Sequence, residues 1–351
     1  MKIRTFFLSL FCAWSGVLSL SAQAQKHVLL YPSVDQRGDS ITLSGAVTVP
    51  TDQPAKGIIL IPHYTIWKND DAPSNKLTHE ATYFQEDYVL LMPDLIGFGV
   101  TRDLPHPYLA GELTARNSID MVFGAQHLLD SLQVGIPLDS IYILGYSQGG
   151  ASALWTMRVI EESFADRIHI KACYAGAGPY DLAATYDEAL SRKQVLMPAL
   201  IPYVLIGTDV AYDLHLDRSQ LLTKHMEKIY QKYIASKEYD MMKIFWKMSD
   251  HRLKHWLKPA GRDKNHPESK RLYEGLRRSS IVGDSICPSW IPQAPLYVFH
   301  STTDDIVSFR CAEHFQRCYP DLPNITYDFD KYGNHLKASH LFYSRTREMI
   351  P

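Results

Sequence analysis

Gly145-Tyr146-Ser147-Gln148-Gly149 fits G-x-S-x-G, a spacing that can carry covalent acyl-transfer chemistry. A seryl hydroxyl used in this way must stand clear of the backbone on a sharp strand-to-helix turn. Such a turn forces strained dihedrals and close backbone approach, so glycine is needed on either side. The following helix begins at the nucleophile, and its first N–H groups and dipole favour negative charge there. Five residues of this kind also fit a glycine-rich structural turn. Here they follow the apolar run SIYIL at 140–144 and open a helical stretch through Ile160, the context the motif requires.

A hydroxyl is a poor nucleophile unless a His takes its proton and a carboxylate orients that His. In the strand-to-helix setting the chain order is Ser, acid, His, with the later two on strand-end loops. After the run PLYVFH come Ser301-Thr302-Thr303-Asp304-Asp305-Ile306-Val307. Asp304 sits nearer the strand end and is the expected acid; Asp305 is expected to cap a helix opening near Val307-Ser308, or to sit in a solvated turn. After ITYDFD come Lys331-Tyr332-Gly333-Asn334-His335, and His335 is the expected base, on the loop just before the last helix. His340 falls inside that helix, where a packed or solvated His is the plainer reading. An oxyanion hole needs backbone N–H donors. Gln148, after the nucleophile, supplies one; the second is expected near Tyr64 or Thr65, with Thr65 favoured.

The elements that position these residues alternate. Segments 27–34 and 41–49 read as two strands joined by a turn. GIILIP, YVLLMP, SIYIL and IKACYAG are short continuous apolar runs typical of buried strands. Helical patterns at 76–86, 112–132 and after Ser147 separate them. Strand, helix, strand in this order predicts an α/β fold with a mostly parallel central sheet flanked by helices. The alternation stops between about 184 and 285. There LLTKHMEKIYQKYIAS and DMMKIFWKM read as amphipathic helices, a helical cap inserted into the core. The expected division is a signal peptide at 1–24, core at 25–183, cap at 184–285 and core at 286–351.

The chain has 351 residues, 46% hydrophobic, with a formal charge of −2. That supports a large core and argues against disorder and against a nucleic-acid partner recruited by bulk positive charge. Lys2 and Arg4, an apolar stretch at 6–20 and Ala22-Gln23-Ala24 have the form of a signal peptide, so a mature chain beginning near Gln25 is expected in the periplasm or outside the cell. Phe11 before Cys12 is not the small residue that a lipid-modified Cys would want. No later stretch is long and apolar enough to span a bilayer. Cys173, Cys287, Cys311 and Cys318 allow three full pairings. On one continuous helix Cys311 and Cys318 would stand roughly 10 Å apart, beyond the bridging limit of about 7 Å. There is no C-x-x-C or H-E-x-x-H. His251 and His255, at i and i+4, would share a helix face but lack an acidic partner, so a solvated face outweighs a metal site.

GYSQGG, an HxT segment followed by Ala72-Pro73-Ser74, MPDLIGFG with His106-Pro107-Tyr108, and GAGPYD at 176–181 together resemble the secretory lipase family, α/β-hydrolases related to the fungal lipase A type. The resemblance covers most of the core on both sides of the insertion. It implies a carboxylic ester hydrolase acting on a small-molecule ester without cofactor, with a helical cap over the site and a triad falling on Ser147, Asp304 and His335. Tyr64 departs from the family, which often has Gly after the His. A serine peptidase on the same fold is the alternative, since triads recur across substrate classes; a binding protein with a lost site ranks behind both.

Overall fold

The structure is a computed structural model and describes residues 24–137, 139–192, 194–283 and 287–351. The expected signal segment lies outside the described residues except for Ala24.

Two long strands open the chain, β1 (Ala24–Val34) and β2 (Ser40–Pro50), paired antiparallel in one register from Ala24–Pro50 to Val34–Ser40. Their turn is closed by the Asp35 carboxylate, which accepts the amides of Arg37 and Asp39. Six shorter strands follow: β3 (Ile58–Leu60), β4 (Val89–Pro93), β5 (Ser140–Tyr146), β6 (His169–Gly176), β7 (Leu296–Ser301) and β8 (Ile325–Asp330). They form one sheet in the order β1-β2-β4-β3-β5-β6-β7-β8, parallel from β4 to β8. The continuous apolar runs are the central strands, buried on both faces because helices cover both.

On one face, α2 (Gly111–Ser131), α3 (Gln148–Ser163) and α10 (Arg310–Cys318) pack through Ile119, Leu154 and Phe315. On the other, α1 (Ala81–Phe84) and α11 (His335–Met349) pack through Phe84, Phe342 and Tyr343. The helix expected over 76–86 is only the single turn α1. Asn75 and Lys76 instead turn back on the carbonyl of Ala72, and Glu80 is buried ahead of the helix.

Between β6 and β7 run α4 (Leu182–Ser191), α5 (Leu200–Tyr212), α6 (Arg218–Leu221), α7 (Lys224–Ile229), α8 (Met241–Lys247) and α9 (Pro267–Arg278). The stretch read as one long amphipathic helix is broken. Thr223 caps α7 through its hydroxyl, and a π-turn over Tyr230–Ile234 ends it. These helices share a second apolar cluster that also contains Trp67, Tyr108, Leu109 and Ala151 of the sheet-bearing part. Ala151 is one helical turn beyond Ser147, so the helical segment packs against the elements around that serine. Lys237 fastens it further: its buried Nζ donates to the carbonyls of Arg102 and Leu104, and its own carbonyl accepts the Asn69 amide at 2.8 Å.

Cys287 and Cys318 form a disulfide, while Cys173 and Cys311 are buried free thiols. Cys311 and Cys318 lie on the one helix α10, the geometry that keeps them apart.

Candidate active site

Ser147 joins β5 to α3 with φ 58° and ψ −122°, a region that a residue with a Cβ occupies only under constraint. Part of the constraint is the bond from its N–H to the Gly176 carbonyl of β6, at 2.9 Å. The flanking glycines answer to backbone approach. A Cβ at Gly145 would meet the Gly149 carbonyl oxygen at 2.1 Å, and one at Gly149 the Pro62 carbonyl oxygen at 2.3 Å. Gln148 and Gly149 are buried, whereas Ser147 is only half-buried.

Asp304 and His335 follow β7 and β8. The structure brings them together in a buried contact of 2.6 Å between Oδ2 and Nδ1. A carboxylate only accepts, so the imidazole carries its proton on Nδ1, and in the neutral ring Nε2 keeps the lone pair. The other carboxylate oxygen accepts the amides of Ile306 and Val307, at 2.9 and 2.8 Å. Burial alone would raise the Asp304 pKa. The adjacent His335, His300 and the Ile306 amide outweigh it and hold the carboxyl below its usual range.

His335 is the first residue of α11, whose start the Asn334 side chain caps by accepting the Lys337 amide. His340 is exposed on α11, its ring 5.5 Å from that of His79. Asp305 does not cap α10, which starts only at Arg310; its carboxylate accepts the His335 amide at 3.1 Å. Arg192, just after α4, donates to the Asp305 carbonyl at 2.7 Å.

The loop after β3 runs beside the start of α3, as the Pro62–Gly149 approach requires. Here the Tyr64 amide donates to Glu80 at 3.3 Å. That engages the Tyr64 amide. Thr65 is half-buried, its hydroxyl 2.7 Å from the Tyr108 hydroxyl. Gln148 reaches from the first position of α3 to His106, Nε2 to Nε2, at 3.3 Å.

Four residues in contact with these were not assigned a role from the sequence: Tyr146, whose hydroxyl donates to the His335 carbonyl, Glu80, His106 and His300. His300 is wholly buried with Nε2 3.6 Å from Asp304 Oδ2, and burial lowers its pKa to about 4. The only signal for His106 was its place beside Pro107 and Tyr108. His251 and His255 do not share an α-helical face. Leu253–His255 is a 3-10 turn, His251 Nδ1 meets the Val195 carbonyl, and His255 lies against Asp250 at 2.8 Å. Among the described residues no group of three or more His, Cys, Asp or Glu side chains could hold a metal ion.

A family model described as secretory lipase matches residues 82–344 of the chain. The chain belongs to the secretory lipase family. Membership of that family places it among exported proteins. A secreted triacylglycerol lipase of Malassezia furfur, LIP5, is 26% identical over 250 residues, which make up 70% of this chain and 59% of that protein. The chain thus spans less than two thirds of that relative's length. A solved structure from Legionella pneumophila subsp. pneumophila superposes with a TM-score of 0.82 at 20% identity, covering 95% of this chain and 90% of the other. The rice cell wall degrading esterase LipA from Xanthomonas oryzae does so with a TM-score of 0.76 at 20% identity, covering 93% and 88%. At that identity the two likenesses concern the α/β-hydrolase fold that this secretory lipase family member shares with them. No helix among the described residues is long and apolar enough to cross a membrane.

Proposed function

We propose that this chain is an exported serine hydrolase that cleaves carboxylic esters, with Ser147 as nucleophile, His335 as general base and Asp304 as the acid that orients it. The observation that carries the reading is the buried 2.6 Å contact between Asp304 and His335, made by a His whose carbonyl is bonded to Tyr146, the neighbour of Ser147. Family membership favours an ester over an amide. The Cys287–Cys318 disulfide suits an oxidising compartment, periplasmic or extracellular.

In this reading Ser147 Oγ attacks the ester carbonyl carbon while His335 Nε2 takes its proton. Asp304 stabilises the imidazolium and holds its tautomer. The carbonyl electrons move onto oxygen, where the backbone N–H groups of Gln148 and Thr65 are the proposed donors. Collapse restores the carbonyl, breaks the C–O bond and releases the alcohol, which receives the proton from His335. Water then attacks the acyl-enzyme, gives a proton to Nε2, and the acid departs as Ser147 recovers its hydrogen.

The helical segment, expected over 184–285 and packed against Trp67, Tyr108 and Ala151, is read as a cap that selects the acyl chain and limits water at the site. The test is a side-by-side assay of short-chain esters, long-chain esters and an aminoacyl amide. Ester turnover that exceeds amide turnover at every chain length supports the reading. Turnover of the amide alone points instead to a peptidase.

A further inference from the structure

One three-residue stretch touches both proposed oxyanion donors. His106 and Tyr108, separated only by Pro107, meet Gln148 and Thr65 respectively. We infer that His106 and Tyr108 are positioning residues for the oxyanion hole, a double clasp that holds the two backbone donors in register with each other. The inference rests on the ester-hydrolase reading of Ser147 and adds to it the residues that set the donors.

The chemistry of each half is determined by its partners. His106 Nδ1 lies 2.6 Å from the carbonyl of Ile96, which can only accept, so Nδ1 carries the hydrogen. Burial lowers the His106 pKa to about 3, and the ring is neutral. Nε2 therefore presents a lone pair, and the Gln148 side-chain amide donates to it. With its side chain pinned, Gln148 is fixed at the first position of α3, where its own N–H points out of the helix end without an intrahelical acceptor. On the other side the Thr65 hydroxyl is bonded to Tyr108 at 2.7 Å. The preceding peptide is held from behind by Glu80, through the Tyr64 amide. Thr65 is thus gripped at its side chain and its neighbour at the backbone, which fixes the direction of the peptide between them.

The clasp is itself braced. The Tyr108 ring stacks on Tyr203 of α5, centroids 4.4 Å apart and planes 12° apart. Tyr203 also lies 5.0 Å from Trp67, two residues beyond Thr65, and 5.8 Å from His106. Gly207, one turn on, leaves room for this approach, since a Cβ there would come within 2.5 Å of Tyr108 Cβ. Both halves of the clasp therefore rest on one face of one helix.

Donors that are displaced by a fraction of an ångström should bind substrate as before and lose affinity for the developing oxyanion. Small misplacements in such sites cost up to about 100-fold in rate, and loss of a whole donor about 100- to 1,000-fold. Tyr108→Phe and Thr65→Val each remove one side of the same hydrogen bond while keeping the ring stack and the Thr65 amide. Each should lower kcat by about ten-fold or more, within that range, with KM changed much less. Affinity for a trifluoromethyl ketone, which binds as an oxyanion adduct, should fall in parallel with kcat. Thr65→Ser, which keeps the hydroxyl that meets Tyr108, should lose less kcat than Thr65→Val. The double variant Tyr108→Phe/Thr65→Val should be no worse than either single, because both remove one bond. Gln148→Leu, on the other side, should give the same kcat and ketone pattern. Ser147→Ala is assayed beside them. If it keeps ester turnover, the hydrolase reading itself has failed. If it is inactive while folded Tyr108→Phe or Thr65→Val keeps kcat within about two-fold, or loses only KM or melting temperature, the clasp is overturned and the reading of Ser147 stands.

Discussion

The Tyr146 hydroxyl donates to the main-chain carbonyl of His335 at 2.7 Å, and the two rings lie 5.0 Å apart. The bond spans 189 positions of sequence and ties the last residue of β5 to the first of α11. The proposed base is thereby located from the residue that precedes the proposed nucleophile, independently of Asp304.

Replacing Tyr146 by Phe removes this tie and leaves the ring packing. A buried hydrogen bond of this kind contributes about 1 kcal/mol net. We expect a comparable loss of unfolding free energy, read by denaturant titration, and a several-fold fall in kcat with KM nearly unchanged. An unaltered kcat would mean that Asp304 suffices to hold the imidazole.

The two neighbouring aspartates should separate cleanly. Asp304 contacts the imidazole, whereas Asp305 accepts only the His335 backbone amide. Asp304→Asn presents the ring with the wrong partner and should lower kcat by about 10⁴-fold. Asp305→Asn still offers a carbonyl oxygen to the amide and should cost less than about ten-fold, in line with one weakened hydrogen bond. Steady-state kinetics on both variants decides; the reverse order would move the acid by one residue.

Acid should destabilise the fold before its carboxylates titrate. Burial lowers the pKa of His106 to about 3 and of His300 to about 4, from an ordinary 6.5. Between those values the unfolded chain binds a proton that the folded chain refuses, so stability rises with pH there and falls as pH drops below 6.5. The slope is about 1.4 kcal/mol per pH unit for each such imidazole. Unfolding free energies measured at several values from pH 7 to pH 5 should show it, and His300→Gln should remove one imidazole's share. A flat profile would contradict the neutral, buried state of both rings.

Much of the sheet was legible in the sequence because its central strands are buried on both faces and read as unbroken apolar runs, as in GIILIP and YVLLMP. The turn at Ser147 was legible because glycine spacing records backbone closure locally. What stayed hidden is non-local. The contacts of His106 with Gln148 and of Tyr108 with Thr65 join segments more than 40 residues apart, and a hydrogen bond at that distance leaves no periodicity to read. Helix ends inside the helical segment were lost for a different reason. An amphipathic pattern continues through the break at Thr223, where one hydroxyl decides that a new helix begins.

The central claim, that Ser147 is the covalent nucleophile, is tested most directly by intact-mass and peptide mass spectrometry after treatment with a small fluorophosphonate. The account predicts one phosphonyl adduct per chain, located on Ser147, lost in folded Ser147→Ala together with ester turnover apart from a residual rate about 10³- to 10⁴-fold over water. An adduct on another residue, or near-normal turnover by Ser147→Ala, would contradict it.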